Sequence, residues 1–194
     1  MRCCAGAYIF SVMKPIIFIG PIGAGKSTIA KMVAEELSIP SFSLDKEEHL
    51  AASVGYDIER YKQMWTEKGL LDAYEYRRSF YDRLVPLFLA SHDHGVLDLG
   101  GGHPIVPDQA KQEVIRKAFA PYEHIFLLMP TPDPNESIKI LRKRNQLADD
   151  EPDLNTLYFT NGNRVFWEIA KFPVYTEGKT PNQTHAEVMR LLNL

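Results

Sequence analysis

Apolar runs that alternate with amphipathic segments predict a parallel α/β sheet. The continuous apolar run at residues 16–19 is typical of a strand buried on both faces. Ile29, Val33 and Leu37 recur at helical spacing, so a helix should follow that strand over residues 26–37. The other predicted strands cover residues 42–44, 96–99, 125–129 and 172–176. We therefore expect a three-layer α/β/α fold with a five-stranded parallel sheet.

The longest interval between predicted strands, about residues 46–91, is rich in aromatic and charged side chains. Its pattern predicts two or three helices, the last from about 71 to 90 with a kink at Pro86. Other predicted helices cover about residues 107–119, 137–145 and 163–171, and the chain after Thr180. The polar, aperiodic stretch at about 145–160 is predicted to be a lid segment.

Composition and charge restrict the class of protein. The sequence has 194 residues, 45% of them hydrophobic and 24% charged, which suits one globular domain over residues 14–194. A net charge of −3 makes a nucleic-acid polymer a poor candidate partner. No apolar run is long enough to predict a membrane span, and Cys3 and Cys4 are too few for a disulfide framework. We expect a cytoplasmic protein, with residues 1–13 as an extension without regular structure.

Residues 20–28, Gly-Pro-Ile-Gly-Ala-Gly-Lys-Ser-Thr, match the phosphate-binding loop G-x-x-x-x-G-K-[S/T] between a strand and a helix. Its glycines let successive backbone N–H groups point at phosphates, Lys26 can reach the β- and γ-phosphates, and the Ser27 hydroxyl can bind Mg²⁺. The predicted ATP-binding residues are Gly20, Ile22, Gly23, Ala24, Gly25, Lys26, Ser27, Thr28 and, at the base of the lid segment, Arg142. A glycine-rich loop that binds nothing is the alternative, and the correct flanks disfavour it. The sequence predicts a P-loop kinase that uses ATP and Mg²⁺, with Lys26 facing solvent when no nucleotide is bound.

Two further features suggest an acceptor site. Gly100, Gly101 and Gly102 follow a predicted strand, where a ligand can approach the backbone, although a plain tight turn would look the same. Arg77 lies in a predicted helix and could hold an anionic substrate, or could simply belong to a solvated helix face.

These motifs, in this order, resemble the shikimate kinase family from Lys14 to the C-terminus. The resemblance rests also on the basic residues 142–144 and on residues 167–181. It implies that Asp45 holds ring hydroxyls of the acceptor and orients or deprotonates the reacting one, that Arg77 holds a carboxylate, and that the glycine triplet lines the same pocket. It implies Lys26, Asp45 and Arg144 as catalytic residues, and Asp45, Arg77, Gly100, Gly101, Gly102 and Arg164 as substrate-binding residues.

The chain also departs from that family's pattern. Ser43 stands where the family has a second Asp, Phe80 where it has a Glu, and the lid segment lacks Arg-Pro-Leu. Asp98 ends a hydrophobic strand, so we predict that it replaces the missing acid on the metal side, with Ser27 as the other metal ligand. The alternative is that Asp98 only caps the glycine turn.

Three functions fit these features. The first is a kinase of the shikimate kinase type, acting on a hydroxyl of a small anionic acceptor as a monomer or weak homodimer. The second is a kinase of the same fold with another acceptor, such as a sugar acid, a nucleoside or a nucleotide. The third, a nucleotide-binding regulatory protein with little turnover, ranks last because Asp45 and Asp98 are both present.

Overall fold

The computed structural model describes residues 14–102, 105–106, 108–159 and 164–193. Its sheet has five parallel strands in the order β2-β3-β1-β4-β5. The strands are β1 (Ile16–Ile19), β2 (Ser41–Ser43), β3 (Val96–Asp98), β4 (His124–Met129) and β5 (Phe172–Tyr175). The predicted parallel sheet is therefore confirmed, and the carboxyl ends of β1, β2 and β3 meet at one edge, which is where ligands bind in such folds.

Helices cover both faces of the sheet. They are α1 (Lys26–Leu37), α2 (Glu48–Ser53), α3 (Ile58–Lys68), α4 (Leu70–Arg78), α5 (Tyr81–Ala90), α6 (Gln109–Phe119), α7 (Pro134–Arg144), α8 (Thr156–Phe159), α9 (Val165–Ile169) and α10 (Pro181–Leu192). Side chains alternate along β1, so Ile17 and Ile19 pack with α5, α6 and α9, while Ile16 and Phe18 pack with α1, α7 and α10. The predicted three-layer architecture is confirmed.

The helical region after β2 differs from the expectation. Residues 46–91 contain the four helices α2 to α5, and the single long helix expected at about 71–90 is broken between α4 and α5. At the break, the Ser79 hydroxyl donates to the Tyr76 carbonyl at 2.7 Å. It therefore competes for this carbonyl with the backbone N–H group that would bond it in a continuous helix. The chain then turns, so Tyr81 enters the core while Arg77 lies at the edge of the sheet.

Several element boundaries also move. β2 ends at Ser43 and a 3-10 turn covers Leu44–Lys46, so Asp45 belongs to a turn and not to the strand end. Helix α6 begins at Gln109, because the Asp108 side chain accepts from the Lys111 N–H and caps it. The expected extension at 1–13 and the expected helix starts at 107 and 163 lie outside the described residues. Among the described helices, none combines the length and apolar character that a membrane crossing requires.

Candidate active site

The turn between β1 and α1 forms the predicted phosphate-binding loop. Gly20 and Gly23 have positive φ angles of 147° and 83°, and a Cβ at Gly20 would lie 2.3 Å from the Leu128 carbonyl oxygen. Within the described part of the chain, the backbone N–H groups of Gly23, Gly25 and Lys26 donate no hydrogen bond. Together with the positive end of α1, they can receive the phosphates of a nucleotide.

The Lys26 side chain folds back onto this loop. Its Nζ donates to the Pro21 carbonyl at 2.8 Å, and the residue is only 5% exposed. The expectation that Lys26 faces solvent was wrong, because the loop carbonyl gives the ammonium group a partner inside the fold. Burial lowers the pKa of Lys26 to about 8, against the opposing effect of the Asp98 and Asp45 carboxylates. The ammonium group is thus held next to the backbone N–H groups of Gly23, Gly25 and Lys26, which we call the phosphate cradle.

Asp98, at the end of β3, connects the phosphate-binding loop to the glycine triplet. One carboxylate oxygen accepts from the Ser27 hydroxyl at 2.5 Å, and the other accepts from the Gly100 N–H at 3.0 Å. Asp98 is 3% exposed, so both contacts are largely shielded from water. One oxygen of the carboxylate therefore caps the glycine turn, and the other contacts Ser27, the other predicted metal ligand. The role of Asp98 in binding a metal stays a prediction.

The Ser27 hydroxyl and the Asp98 carboxylate fit a magnesium site in their chemistry. Mg²⁺ prefers oxygen ligands and needs few of them from the protein, because it keeps several waters and binds nucleotide phosphates. The described residues contain no group of three or more His, Cys, Asp or Glu side chains that could hold a metal on their own. A magnesium ion at this place would therefore depend on the nucleotide for further ligands.

A cavity of about 530 Å³ extends from the phosphate-binding loop towards α2, α3 and α4. Its lining includes Ile22, Gly23, Lys26 and Ser27 from the loop and first turn of α1, and Gly100 and Gly101 after β3. The far end is lined by Leu44, Asp45, Glu47, Glu48, Ala51, Ala52, Tyr56, Ile58, Tyr61, Arg77, Phe80 and Leu84. The cavity thus brings four of the predicted ATP-binding residues and most of the predicted acceptor residues to one place.

Asp45 and Arg77 form an ion pair on the wall of this cavity. The Arg77 Nη2 donates to Asp45 Oδ1 at 2.5 Å, and the two side chains are 29% and 44% exposed. Arg77 therefore does not lie on a solvated helix face away from the site, which was the alternative. Because the pair remains open to solvent, an acceptor can contact either partner from inside the cavity.

An aromatic wall formed by Tyr56, Tyr61 and Phe80 was missed at the sequence level. These rings line the cavity, and Tyr56 lies 6.1 Å from Tyr61 and 5.8 Å from Phe80 between ring centroids. Burial raises the pKa of the Tyr56 hydroxyl to about 12, so it is a hydrogen-bond donor at neutral pH. The available signal was the density of aromatic residues after β2, but that pattern does not separate core rings from site rings.

Other predicted site residues lie near the cavity without lining it. Ala24, Gly25 and Thr28 belong to the loop and first turn of α1. Gly102 packs against Tyr74, whose hydroxyl oxygen would lie 2.3 Å from a Cβ at this position.

Three predicted arginines also lie outside the described lining of the cavity. Arg144 donates to the Thr176 hydroxyl at 3.0 Å and to Glu177 at 2.7 Å, and Arg164 is exposed just before α9. Arg142 donates to backbone carbonyls of the lid segment, including that of Glu151 at 3.2 Å. The roles predicted for these residues in binding or catalysis stay predictions.

Known shikimate kinases resemble this chain in sequence and in structure. The shikimate kinase family model matches residues 22–193. The shikimate kinase of Persephonella marina is 28% identical over 177 residues, which cover 91% of this chain and 98% of the relative. That of Enterococcus faecalis is 26% identical over 186 residues, which cover 93% and 99%. A solved structure of shikimate kinase from Acinetobacter baumannii, in complex with shikimate, superposes with a TM-score of 0.63 at 19% identity and covers 96% of this chain and 97% of that one.

Proposed function

Because the chain belongs to the shikimate kinase family, whose members transfer phosphate from ATP to a hydroxyl of a small molecule, we propose that its acceptor is a small anionic polyol bound between Asp45 and the phosphate-binding loop. One observation carries this proposal: Lys26, Asp45 and Arg77 line a single cavity, with Lys26 at the donor end and the ion pair at the acceptor end. Relatives at 25–28% identity support phosphoryl transfer from ATP, whereas the anionic character of the acceptor is inferred from the residues that line the cavity.

The donor half of the reaction follows from the loop. The backbone N–H groups of Gly23, Gly25 and Lys26 bind and orient the phosphates of ATP, and the Lys26 ammonium group stabilises negative charge on the transferred phosphoryl group. Mg²⁺, when bound at Ser27 and Asp98, would offset the charge of the β- and γ-phosphates. Arg142 and Arg144 at the base of the lid segment are proposed to add positive charge, for which both must exchange their present partners.

The acceptor half follows from the ion pair. The Asp45 carboxylate accepts a hydrogen bond from the reacting hydroxyl, orients it towards the γ-phosphate and can take its proton. Arg77 binds the acceptor's anionic group, and its bond to Asp45 keeps both side chains in place. The aromatic wall covers the apolar face of the acceptor and excludes water, which would otherwise accept the phosphoryl group.

A coupled ADP-release screen tests this function. The panel contains shikimate, sugar acids, nucleosides and nucleotides, together with a neutral polyol of matched size for each acid. We expect one anionic acceptor to stimulate ADP release, and we expect the stimulation to disappear in Arg77→Ala but not in Arg190→Ala, which removes an exposed arginine from α10. Equal stimulation by an acid and its neutral counterpart would contradict the anionic acceptor. The expected compartment is the cytoplasm, where ATP is available.

A further inference from the structure

The side chain of Asn155, in the lid segment, is buried against the phosphate-binding loop. Its carboxamide oxygen accepts from the Ile22 N–H at 2.8 Å, and its amide nitrogen donates to the Ile22 carbonyl at 3.1 Å. The same carbonyl also accepts from the Asn145 side-chain amide at 3.2 Å, whereas the Ile22 N–H donates to Asn155. Asn155 is 2% exposed, although residues 148–152 of the same segment are exposed. The backbone N–H and the backbone carbonyl of Ile22 are thus both paired with a side chain 133 positions away.

The lid segment is folded so that Asn155 reaches this position. Arg142, near the end of α7, donates to three successive parts of the segment, the carbonyls of Ala148, Asp149 and Glu151. The Asp153 side chain then accepts from the Asn155 N–H at 2.9 Å, which forms a tight turn before α8. The lid segment is therefore an ordered connection from α7 to the loop, with Asn155 at the contact.

The contact leaves the phosphate cradle available. Asn155 pairs with the N–H of Ile22, whereas Gly23, Gly25 and Lys26 keep N–H groups that donate to nothing in the described chain. The Ile22 side chain points the other way and lies against Gly101, where a Cβ would be 2.2 Å from Ile22 Cγ1. Ile22 is thus the residue at which the lid segment, the phosphate cradle and the floor of the acceptor cavity meet.

We propose that Asn155 is a positioning residue. Its bonds to the N–H and the carbonyl of Ile22 fix the backbone at Ile22, so the phosphate cradle takes its nucleotide-binding shape only while the lid segment is docked. The proposal rests on the proposed function, because it assigns the lid segment a part in ATP binding. The orientation of the carboxamide is dictated by its partner: the oxygen must face the Ile22 N–H and the nitrogen must face the carbonyl. No charged side chain of the same size can make both bonds.

Asn155→Asp gives a readout that a purely structural role would not move. An ionised Asp can accept from the Ile22 N–H, but it has no proton for the Ile22 carbonyl and repels it. A protonated Asp can make both bonds. The affinity of Asn155→Asp for ADP, divided by that of the wild-type protein at the same pH, should therefore rise as the pH falls from about 8 towards about 5, since burial raises the pKa of a carboxyl group.

Two control variants accompany this measurement of ADP affinity against pH. Asn155→Ala should bind ADP roughly tenfold more weakly than the wild-type protein, with a ratio that does not change with pH. Asn135→Asp places the same new charge at the exposed start of α7 and should match the wild-type protein throughout. A flat ratio for Asn155→Asp, or tighter ADP binding by Asn155→Ala, would overturn the proposal.

Proteolysis tests docking of the lid segment without any nucleotide. Cleavage of the peptide bond before the exposed Asp150 by an endopeptidase specific for the amino side of Asp, followed by fragment mass, should be roughly tenfold faster in Asn155→Ala than in the wild-type protein or Asn135→Asp. Equal cleavage rates would show that Asn155 does not hold the lid segment. If the wild-type protein failed to bind ADP, the proposed function and the coupling would both be wrong, and the cleavage rates would still decide whether Asn155 docks the lid segment.

Discussion

Asp98 and Ser43 are register partners at the ends of the neighbouring parallel strands β3 and β2. Adjacent strands lie about 5 Å apart, so an acid can move from one strand end to the other and still face the same phosphate-binding loop. In this chain the carboxylate is on β3, where it accepts from Ser27, and a hydroxyl is on β2. This relationship supports the hypothesis that Asp98 replaces the acid that the family has at position 43.

Asp98→Asn should weaken the dependence of the reaction on magnesium. Asn can accept from either Ser27 or Gly100 with its one oxygen, and it lacks the charge that favours a nearby cation. We expect the magnesium concentration for half-maximal turnover to rise roughly ten- to hundredfold, while metal-free ADP binding stays close to the wild-type value. A magnesium titration of turnover, with Glu123→Gln as an exposed charge-removal control, measures the difference.

Adding Ser43→Asp to Asp98→Asn should restore part of the lost magnesium response, because it returns a carboxylate to the paired position on β2. If the single variant Asp98→Asn left the magnesium titration unchanged, Asp98 would only stabilise the glycine turn.

Lys26→Met should abolish most phosphoryl transfer without unfolding the protein. Met keeps the volume of the buried stem and removes the ammonium group that we assign to the phosphates. Turnover should fall by roughly a hundredfold or more, since charge stabilisation in the transition state is lost. Steady-state kinetics and a thermal melt of the same preparation test the prediction, and turnover near the wild-type level would rule out Lys26 as a catalytic residue.

The sheet and the donor half of the site could be predicted because their signals are continuous in sequence. The apolar run of β1, the loop and the first turn of α1 are consecutive, and their spacing predicts a phosphate-binding loop. Asp98 could be added as a hypothesis because parallel strands end at the same edge.

The acceptor half and the lid contact could not be derived in this way. Phe80 lines the cavity just after the break between α4 and α5, where the Ser79 hydroxyl donates to the Tyr76 carbonyl, and no periodicity in the sequence marks that break. Asn155 meets Ile22 across 133 positions through a segment without periodicity, so no pattern in the sequence pairs them. The buried position of Lys26 includes a contact between its Nζ and the Pro21 carbonyl, which the motif does not specify.

Arg77→Ala should affect acceptor binding more than nucleotide binding. The substitution removes the guanidinium group that we assign to the acceptor's anionic group and leaves Asp45 without this partner. The KM for the acceptor found in the screen should rise roughly ten- to hundredfold, with the KM for ATP within about twofold of the wild-type value. Arg190→Ala serves as the control. An equal rise in both KM values would mean that Arg77 supports the fold of the site and not the acceptor.

The buried ammonium group of Lys26 should give the protein a stability that increases with pH. Its pKa is about 8 in the folded chain and 10.5 in the unfolded one, so between these values the unfolded state binds more protons. The free energy of unfolding should therefore rise across the window from pH 8 to pH 10.5, by an amount on the order of 3 kcal/mol attributable to Lys26. Urea titrations of the wild-type protein and Lys26→Met isolate this contribution, because other titrating groups are common to both. The wild-type protein should gain stability relative to the variant as the pH rises, and a difference that stays constant or shrinks would show that Lys26 is not held at a lowered pKa. Deprotonation of Lys26 should also weaken ATP binding above pH 8, since the neutral amine no longer attracts the phosphates.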